Sequence, residues 1–252
     1  MPFDGDLSCP DWVEKLKTGA TPMPDLDVDE RTANVAVRIF NQLRLPDVGG
    51  QPTLGEVGAD WFRDIIRGLF GCIDPKTKIR HISELFLLVP KKNSKTTNSA
   101  ALGLIALMVN TIPNAKMVII GPTQGVAETC FAQVQGMIDA DPELQKLFHV
   151  QDHLKKVTYI PTGAKLAVKS FDMNVVTGGI PVFAIIDELH LMSSRSYAKK
   201  VIGQIRGGMN KPNCLLVFIT TQSVDEPAGI FRTELNNARA VRDGTTPAEG
   251  LL

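Results

Sequence analysis

Residues 85–97 read LFLLVPKKNSKTT, and this stretch decides the fold. An apolar run (85–89) passes into a polar turn (90–94), then Lys95 and Thr96, then a long helical stretch at 96–109. The run is continuous rather than alternating, the pattern of a strand buried on both faces. Strand, polar turn and helix together make the setting of a phosphate-binding loop. N–H groups of the turn and of the first helical turn point at anionic oxygens. On this reading Pro90, Lys91, Lys92, Asn93, Ser94, Lys95, Thr96 and Thr97 surround the phosphates of ATP. Lys95 reaches the β and γ phosphates and the Thr96 hydroxyl sits on Mg2+.

The usual spelling is G-x-x-x-x-G-K-[ST]; here its two glycine positions hold Val89 and Ser94. The alternative is a plain strand–loop–helix junction with a basic, solvated turn. Two features favour phosphate. The helix is apolar nearly all round (Ala100, Ala101, Leu102, Leu104, Ile105, Leu107, Met108), so it is central to the fold. Lys91, Lys92 and Lys95 also crowd its start, where an anion would balance their charge.

A second stretch, residues 181–192, reads PVFAIIDELHLM. Five apolar residues end in Asp187 and Glu188, at the exit edge of a buried strand where α/β sheets bind ligands. Asp187 would hold the metal shell, and Glu188 would orient and deprotonate the attacking water. An ordinary pair of acids at a strand end is the alternative. The two stretches support each other: 92 residues separate Lys95 from Asp187, room for the strands and helices of a RecA-like core.

Further short apolar runs at 117–120, 166–168 and 215–219 read as buried strands, and 96–109 and 124–138 as helices. That alternation predicts an α/β domain with a mostly parallel sheet. Residues 149–169 read as a β-rich excursion. Upstream, residues 1–30 read as an irregular arm with helix-start signals near Asp29, and 32–45 and 59–70 as amphipathic helices.

The chain has 252 residues, 44% of them hydrophobic, enough for one large core. Lys plus Arg and Asp plus Glu both number 27, so any surface for nucleic acid has to be local. Four dispersed cysteines (Cys9, Cys72, Cys130, Cys214) argue against a disulfide framework or a zinc site. No secretory signal and no membrane-spanning stretch is legible, so a soluble intracellular protein is expected.

From about residue 50 to 225 the sequence resembles the large terminase subunit of tailed bacteriophages, the ATP-driven motor that packages DNA. The resemblance lies in the tryptophan-bearing helix with LFGC after it (61–72), the glycine-poor loop PKKNSKT, GPTQGVAETCF (121–131), IIDELH and FITTQS (218–223). It implies a RecA-like (ASCE) P-loop NTPase core, a mostly parallel central sheet flanked by helices, with an N-terminal helical extension. Residues 1–50 would be an arm and helix packing on the core, and 51–252 the ATPase domain. It implies Lys95 and Glu188 as catalytic, Thr96 and Asp187 as metal contacts, and Thr220, Thr221 and Gln222 as the motif coupling γ-phosphate to motion. It further implies double-stranded DNA, a portal protein, a small terminase subunit and a homo-oligomeric ring as partners, with no membrane, in the host cytoplasm at the procapsid portal.

The sequence departs from the family in three places. The family often pairs its tryptophan with a glutamine that reads adenine; here Phe62 follows Trp61. A cationic finger is also needed. The loop positions where some members carry arginine hold Lys91 and Lys92, and DMNVVTGG (172–179) has none. Arg206, in IRGGMN, is the candidate, acting on a neighbouring subunit, with Arg195 and Arg232 as rivals. Finally, the family's C-terminal nuclease would lie beyond residue 250, so an isolated motor domain is expected.

A DEAH-like helicase is the competing enzyme class, distinguished by a second motor lobe. A nucleotide-binding scaffold without catalysis is disfavoured by Glu188. His149 and His153 read as a solvated helix-end pair rather than metal ligands. His190 reads as structural, with coupling to the acids as the alternative. Lys155–Lys156 and Lys199–Lys200 read as solvated faces or DNA-backbone contacts.

Overall fold

The computed structural model describes residues 6–172 and 179–252. Its strands are β1 Glu84–Leu88, β2 Lys116–Gly121, β3 Phe148–Gln151, β4 Lys156–Tyr159, β5 Ala164–Ser170, β6 Phe183–Asp187 and β7 Leu215–Thr220. Its helices are α1 Trp12–Lys17, α2 Glu30–Gln42, α3 Leu54–Val57, α4 Asp60–Gly71, α5 Lys95–Val109, α6 Gln124–Asp139, α7 Pro142–Leu147, α8 Leu189–Met192, α9 Ala198–Gly208 and α10 Gly229–Arg242. The strands form one sheet in the order β1-β7-β6-β2-β5-β4-β3. The first five strands of that order are parallel, and β4 and β3 are added antiparallel.

Alternation along each strand separates two cores. Met117, Ile119, Leu166, Phe183, Ile185, Val217 and Ile219 face α5 and α6 in the larger one. Val118, Ile120, Ala184, Ile186, Leu216 and Phe218 face α8, α9 and α10 in the other. The apolar α5 is buried along most of its length, as its sequence predicts. It lies close against β5: a Cβ added at Gly103 would come 2.8 Å from Leu166 Cδ2. A bulkier residue there would have to displace the Leu166 side chain.

Two expectations need correction. The first strand is not buried on both faces: only Leu85 is fully buried and Leu88 is exposed. It is an edge strand, and the last residues of the chain shield it. Ser83 and Glu84 N–H donate to the Gly250 carbonyl and Phe86 N–H to that of Leu252. Such shielding satisfies polar groups that a bare edge would present to other chains. The N-terminal arm is not wholly irregular either, since it includes the short α1. The arm lies along α10, with Cys9 N–H donating to the Arg242 carbonyl and the Arg242 guanidinium 4.3 Å over the Trp12 ring.

The Asp29 carboxylate caps α2 by accepting from Thr32 N–H at 2.8 Å. Arg63 ties α2, α3 and α4 together through Asn41, Leu54, Gly58 and Asp60. His149 stands on β3, just past α7, and His153 in the short 3-10 turn at residues 152–154. No helix among the described residues is long and apolar enough to cross a membrane.

Candidate active site

Strands β1, β7 and β6 are adjacent and parallel, so residues 89–97, Asp187–Glu188 and Thr220–Gln222 all leave the sheet at its carboxyl edge. The turn after β1 is built without glycine, yet Lys92 and Ser94 take left-handed backbone (φ 67° and 52°). Ser94 occupies the second glycine position of the usual motif. The conformation that glycine would supply is therefore present in a residue that adopts it less easily. Asn93 helps hold the turn, its amide donating to the carbonyls of Pro90 and Lys91.

Among the described contacts no side chain caps the start of α5, and its first turn holds no acid. Its free N–H groups face the loop, as an anion site requires. Lys95 is buried beneath them, with Nζ 3.5 Å from Glu188 Oε1. Thr96 is half-buried, and the Thr97 hydroxyl donates to Gln133 at 3.5 Å.

Asp187 closes β6 at 1% exposure, and neither of its carboxylate oxygens has a hydrogen-bond partner. Burial first, then the charge of Glu188, pushes its carboxyl up to about 7, while Lys95 opposes the rise. Two orphaned oxygens on a buried acid beside a lysine fit a divalent cation. Magnesium takes one or two carboxylates and completes its shell with water and substrate phosphates.

Glu188 stands in the left-handed region at φ 51°, its N–H donating to the Ile219 carbonyl on β7. This backbone turn aims its side chain back at Lys95. One side chain that the sequence reading left structural lies inside the site. His190 Nδ1 is 3.1 Å from the Thr220 hydroxyl oxygen and 3.4 Å from Glu188 Oε2. Burial holds its imidazole below the usual range; Glu188 opposes this, and Lys91 and Lys95 reinforce it. The signal for it was its spacing, two residues past Glu188, which a turn into a short helix folds back onto β7. Thr220 and Thr221 are buried, and Gln222 is exposed.

Arg206 stands away from this subunit's phosphate loop. Its guanidinium grips Glu84 (2.7 and 3.0 Å) and Glu234 (3.1 and 2.7 Å). Glu84 opens β1, so this cluster lies at the amino edge, the far side of the sheet from Lys95. Arg206 therefore cannot serve its own subunit's site, and its donors are already committed. Of its rivals, Arg195 reaches the carboxyl edge by donating to the Pro122 carbonyl at 3.0 Å, while Arg232 donates to Pro227. Trp61 packs half-buried against the core, its ring edge-on to Phe62. Residues 173–178 of the arginine-free stretch lie outside the described residues.

Residues 60–238 match the family described as "Terminase large subunit, ATPase domain". The chain belongs to this family. Among solved structures, the large terminase of bacteriophage HK97 aligns with a TM-score of 0.71 at 20% identity, covering 87% of this chain and 43% of that one. The ATPase domain of Thermus phage P74-26 large terminase gives 0.43 at 16% identity, over 56% of this chain and 61% of that one. The large terminase of thermophilic phage D6E in complex with ADP gives 0.43 at 15% identity, over 58% and 35%. No curated protein matches the chain. This terminase ATPase domain thus shares the fold of the HK97 protein and spans less than half of its length.

Proposed function

We propose that this domain hydrolyses ATP with Mg2+ to drive double-stranded DNA into a procapsid. The observation that carries the reading is the convergence of Lys95, Asp187 and Glu188 at one edge of the sheet, with the uncapped start of α5 beside them. Lys95 and the N–H groups of residues 90–97 bind the triphosphate. Thr96 and Asp187 would hold magnesium, which would supply positive charge to offset that of the triphosphate. Glu188 orients the attacking water and takes its proton. Phosphate arriving at Lys95 competes with Glu188 for its ammonium, so nucleotide binding itself releases the base to face water. Thr220, Thr221 and Gln222 relay the state of the site to the rest of the fold.

The finger that completes such a site falls to Arg195 or to an arginine of a neighbouring subunit. Residues 51–252 act as the motor unit, with 1–50 as an arm and helix upon it. The working assembly is a homo-oligomeric ring at the portal protein, supplied with DNA by a small terminase subunit, in the host cytoplasm.

The test is ATP turnover by the wild type, Glu188→Ala and Lys95→Ala. Glu188→Ala should retain ATP binding and lose about 10²–10⁴-fold in turnover, the usual contribution of a positioned base. Lys95→Ala should bind ATP poorly. Unchanged hydrolysis in both variants would sink the mechanism.

A further inference from the structure

The hydrogen bonds around Thr220 fix which nitrogen of His190 carries the proton. The Thr220 hydroxyl donates to the Thr221 carbonyl at 3.4 Å, and its oxygen accepts from His190 N–H at 3.2 Å. One lone pair is left on that oxygen, and His190 Nδ1 lies 3.1 Å away. A hydroxyl whose hydrogen is already committed can only accept, so Nδ1 is the donor. Burial lowers the pKa of the ring and so favours its neutral form, which has a single N–H. The network therefore assigns that hydrogen to Nδ1 rather than Nε2.

A second acceptor stands beside this N–H. Glu188 Oε2 is 3.4 Å from Nδ1, buried, and without a hydrogen bond among the described residues. An unpaired buried carboxylate oxygen is costly, and a small rotation of either side chain would make the bond. The other oxygen, Oε1, faces Lys95 Nζ at 3.5 Å. The carboxylate thus lies between an ammonium and an imidazole N–H. The backbone alone does not orient it. Glu188 N–H is fixed to the Ile219 carbonyl, but several side-chain torsions separate the carboxylate from that anchor. The imidazole is better held. Its side chain is 11% exposed, its backbone N–H bonds Thr220, and its ring stands edge-on to Phe231 at 6.2 Å.

We infer that His190 is the positioning residue of the base: its Nδ1–H anchors Glu188 Oε2 and leaves Oε1 as the atom that takes the proton from water. The inference rests on the reading of Glu188 as the base of ATP hydrolysis. Phosphate that engages Lys95 removes the hold on Oε1 alone. The hold on Oε2 persists, so the carboxylate turns one defined oxygen toward the water instead of swinging between rotamers, and such orientation is a large part of what a positioned base contributes. The water oxygen bonds the γ-phosphorus, the bond to the ADP oxygen breaks, and the water proton ends on Oε1. In this role His190 acts through Glu188 and exchanges no proton itself.

The experiment measures steady-state ATP turnover and ATP affinity for the wild type, His190→Ala, His190→Asn, His190→Gln, Glu188→Ala and the double variant Glu188→Ala/His190→Ala. An asparagine amide nitrogen lies as many bonds from Cα as Nδ1 does, whereas a glutamine amide reaches one bond farther. His190→Asn should therefore turn over close to the wild-type rate. His190→Ala and His190→Gln should lose about tenfold to a hundredfold in kcat, the scale of a hydrogen bond to a charged group. ATP affinity should stay close to wild type in all the His190 variants. The double variant should be no slower than Glu188→Ala, because His190 acts only through that carboxylate. His190→Ala at the wild-type rate, equal rates for the asparagine and glutamine variants, or a further loss in the double variant would overturn the inference. ATP affinity falling in step with turnover would do the same, by giving His190 a structural role in the pocket. Where the alanine variant does not fold, the asparagine and glutamine pair carries the test. A wild type without turnover, or Glu188→Ala as fast as the wild type, strikes the reading of Glu188 as the base, so the two failures are distinguishable.

Discussion

Asp187 offers a test of the metal site that needs no turnover. Its carboxyl is buried without partners and pushed up to about 7 from 3.8. The folded protein then holds this proton more tightly than the unfolded chain does. The group's contribution to stability is fully present below about pH 4 and is lost as the pH rises through 7. Three pH units at 1.36 kcal/mol each amount to about 4 kcal/mol, an upper bound because water and nearby groups relax around a buried charge. Asp187→Asn keeps the shape and removes the titration. Its own unpaired amide adds a penalty that does not vary with pH. In urea melts without nucleotide, the stability of Asp187→Asn relative to wild type should therefore improve by up to about 1.4 kcal/mol per unit between about pH 4 and 7, then level off. Magnesium with ATP should restore stability to the wild type by mass action and do far less for the variant. A difference that stays constant across the window would refute the argument, because a carboxylate with satisfied oxygens would give just that.

Three other changes separate structural from chemical roles. Arg206→Met leaves Glu84 and the nearly buried Glu234 without their cation; it should cost about 3 kcal/mol and lower the melting temperature by about 6–12 °C, with nucleotide affinity unchanged by titration calorimetry. His190→Ala should reduce kcat about tenfold or more, the scale of a hydrogen bond to a charged group, while the ATP affinity stays close to wild type. Gly229→Ala places a Cβ 2.5 Å from the Ser193 carbonyl oxygen at φ 53°, so chemical denaturation should show a loss of about 1–3 kcal/mol.

Burial made most of the fold legible. The runs at 117–120, 182–186 and 215–219 are central strands closed on both faces, and central strands spell themselves as unbroken apolar runs. The edge strand was harder to place because Leu85, Phe86, Leu87 and Leu88 look equally central in sequence. Only the strand order shows that it stands at the margin, where residues 250–252 run along it. Similarly, Lys95, Asp187 and Glu188 stood out as candidates because each ends or follows an unbroken apolar run in the sequence. The partners of Arg206 were not legible, for the opposite reason. Its partners are 122 and 28 residues away, and no local pattern distinguishes an arginine held by two glutamates from one waiting for a phosphate.

On the proposed mechanism, the end of β7 is where a change at the phosphates would reach the rest of the domain. Thr220 belongs to both halves of the site. Its carbonyl accepts from Val89 N–H at 2.9 Å, the last residue before the phosphate turn. Its hydroxyl oxygen accepts from His190 N–H at 3.2 Å and lies beside that histidine's ring, which also touches Glu188. The His190 ring in turn stands 6.2 Å from Phe231 in α10, edge to face. On the proposed mechanism, phosphate drawing Lys95 from Glu188 would leave the glutamate beside His190, and a movement of that pair would pass to Thr220 on one side and to α10 on the other. A valine at position 220 would keep the shape and the strand, and would delete only the hydroxyl. Thr220→Val should therefore bind ATP normally while DNA-stimulated turnover falls toward the rate without DNA, and equal stimulation in both proteins would show that the link lies elsewhere.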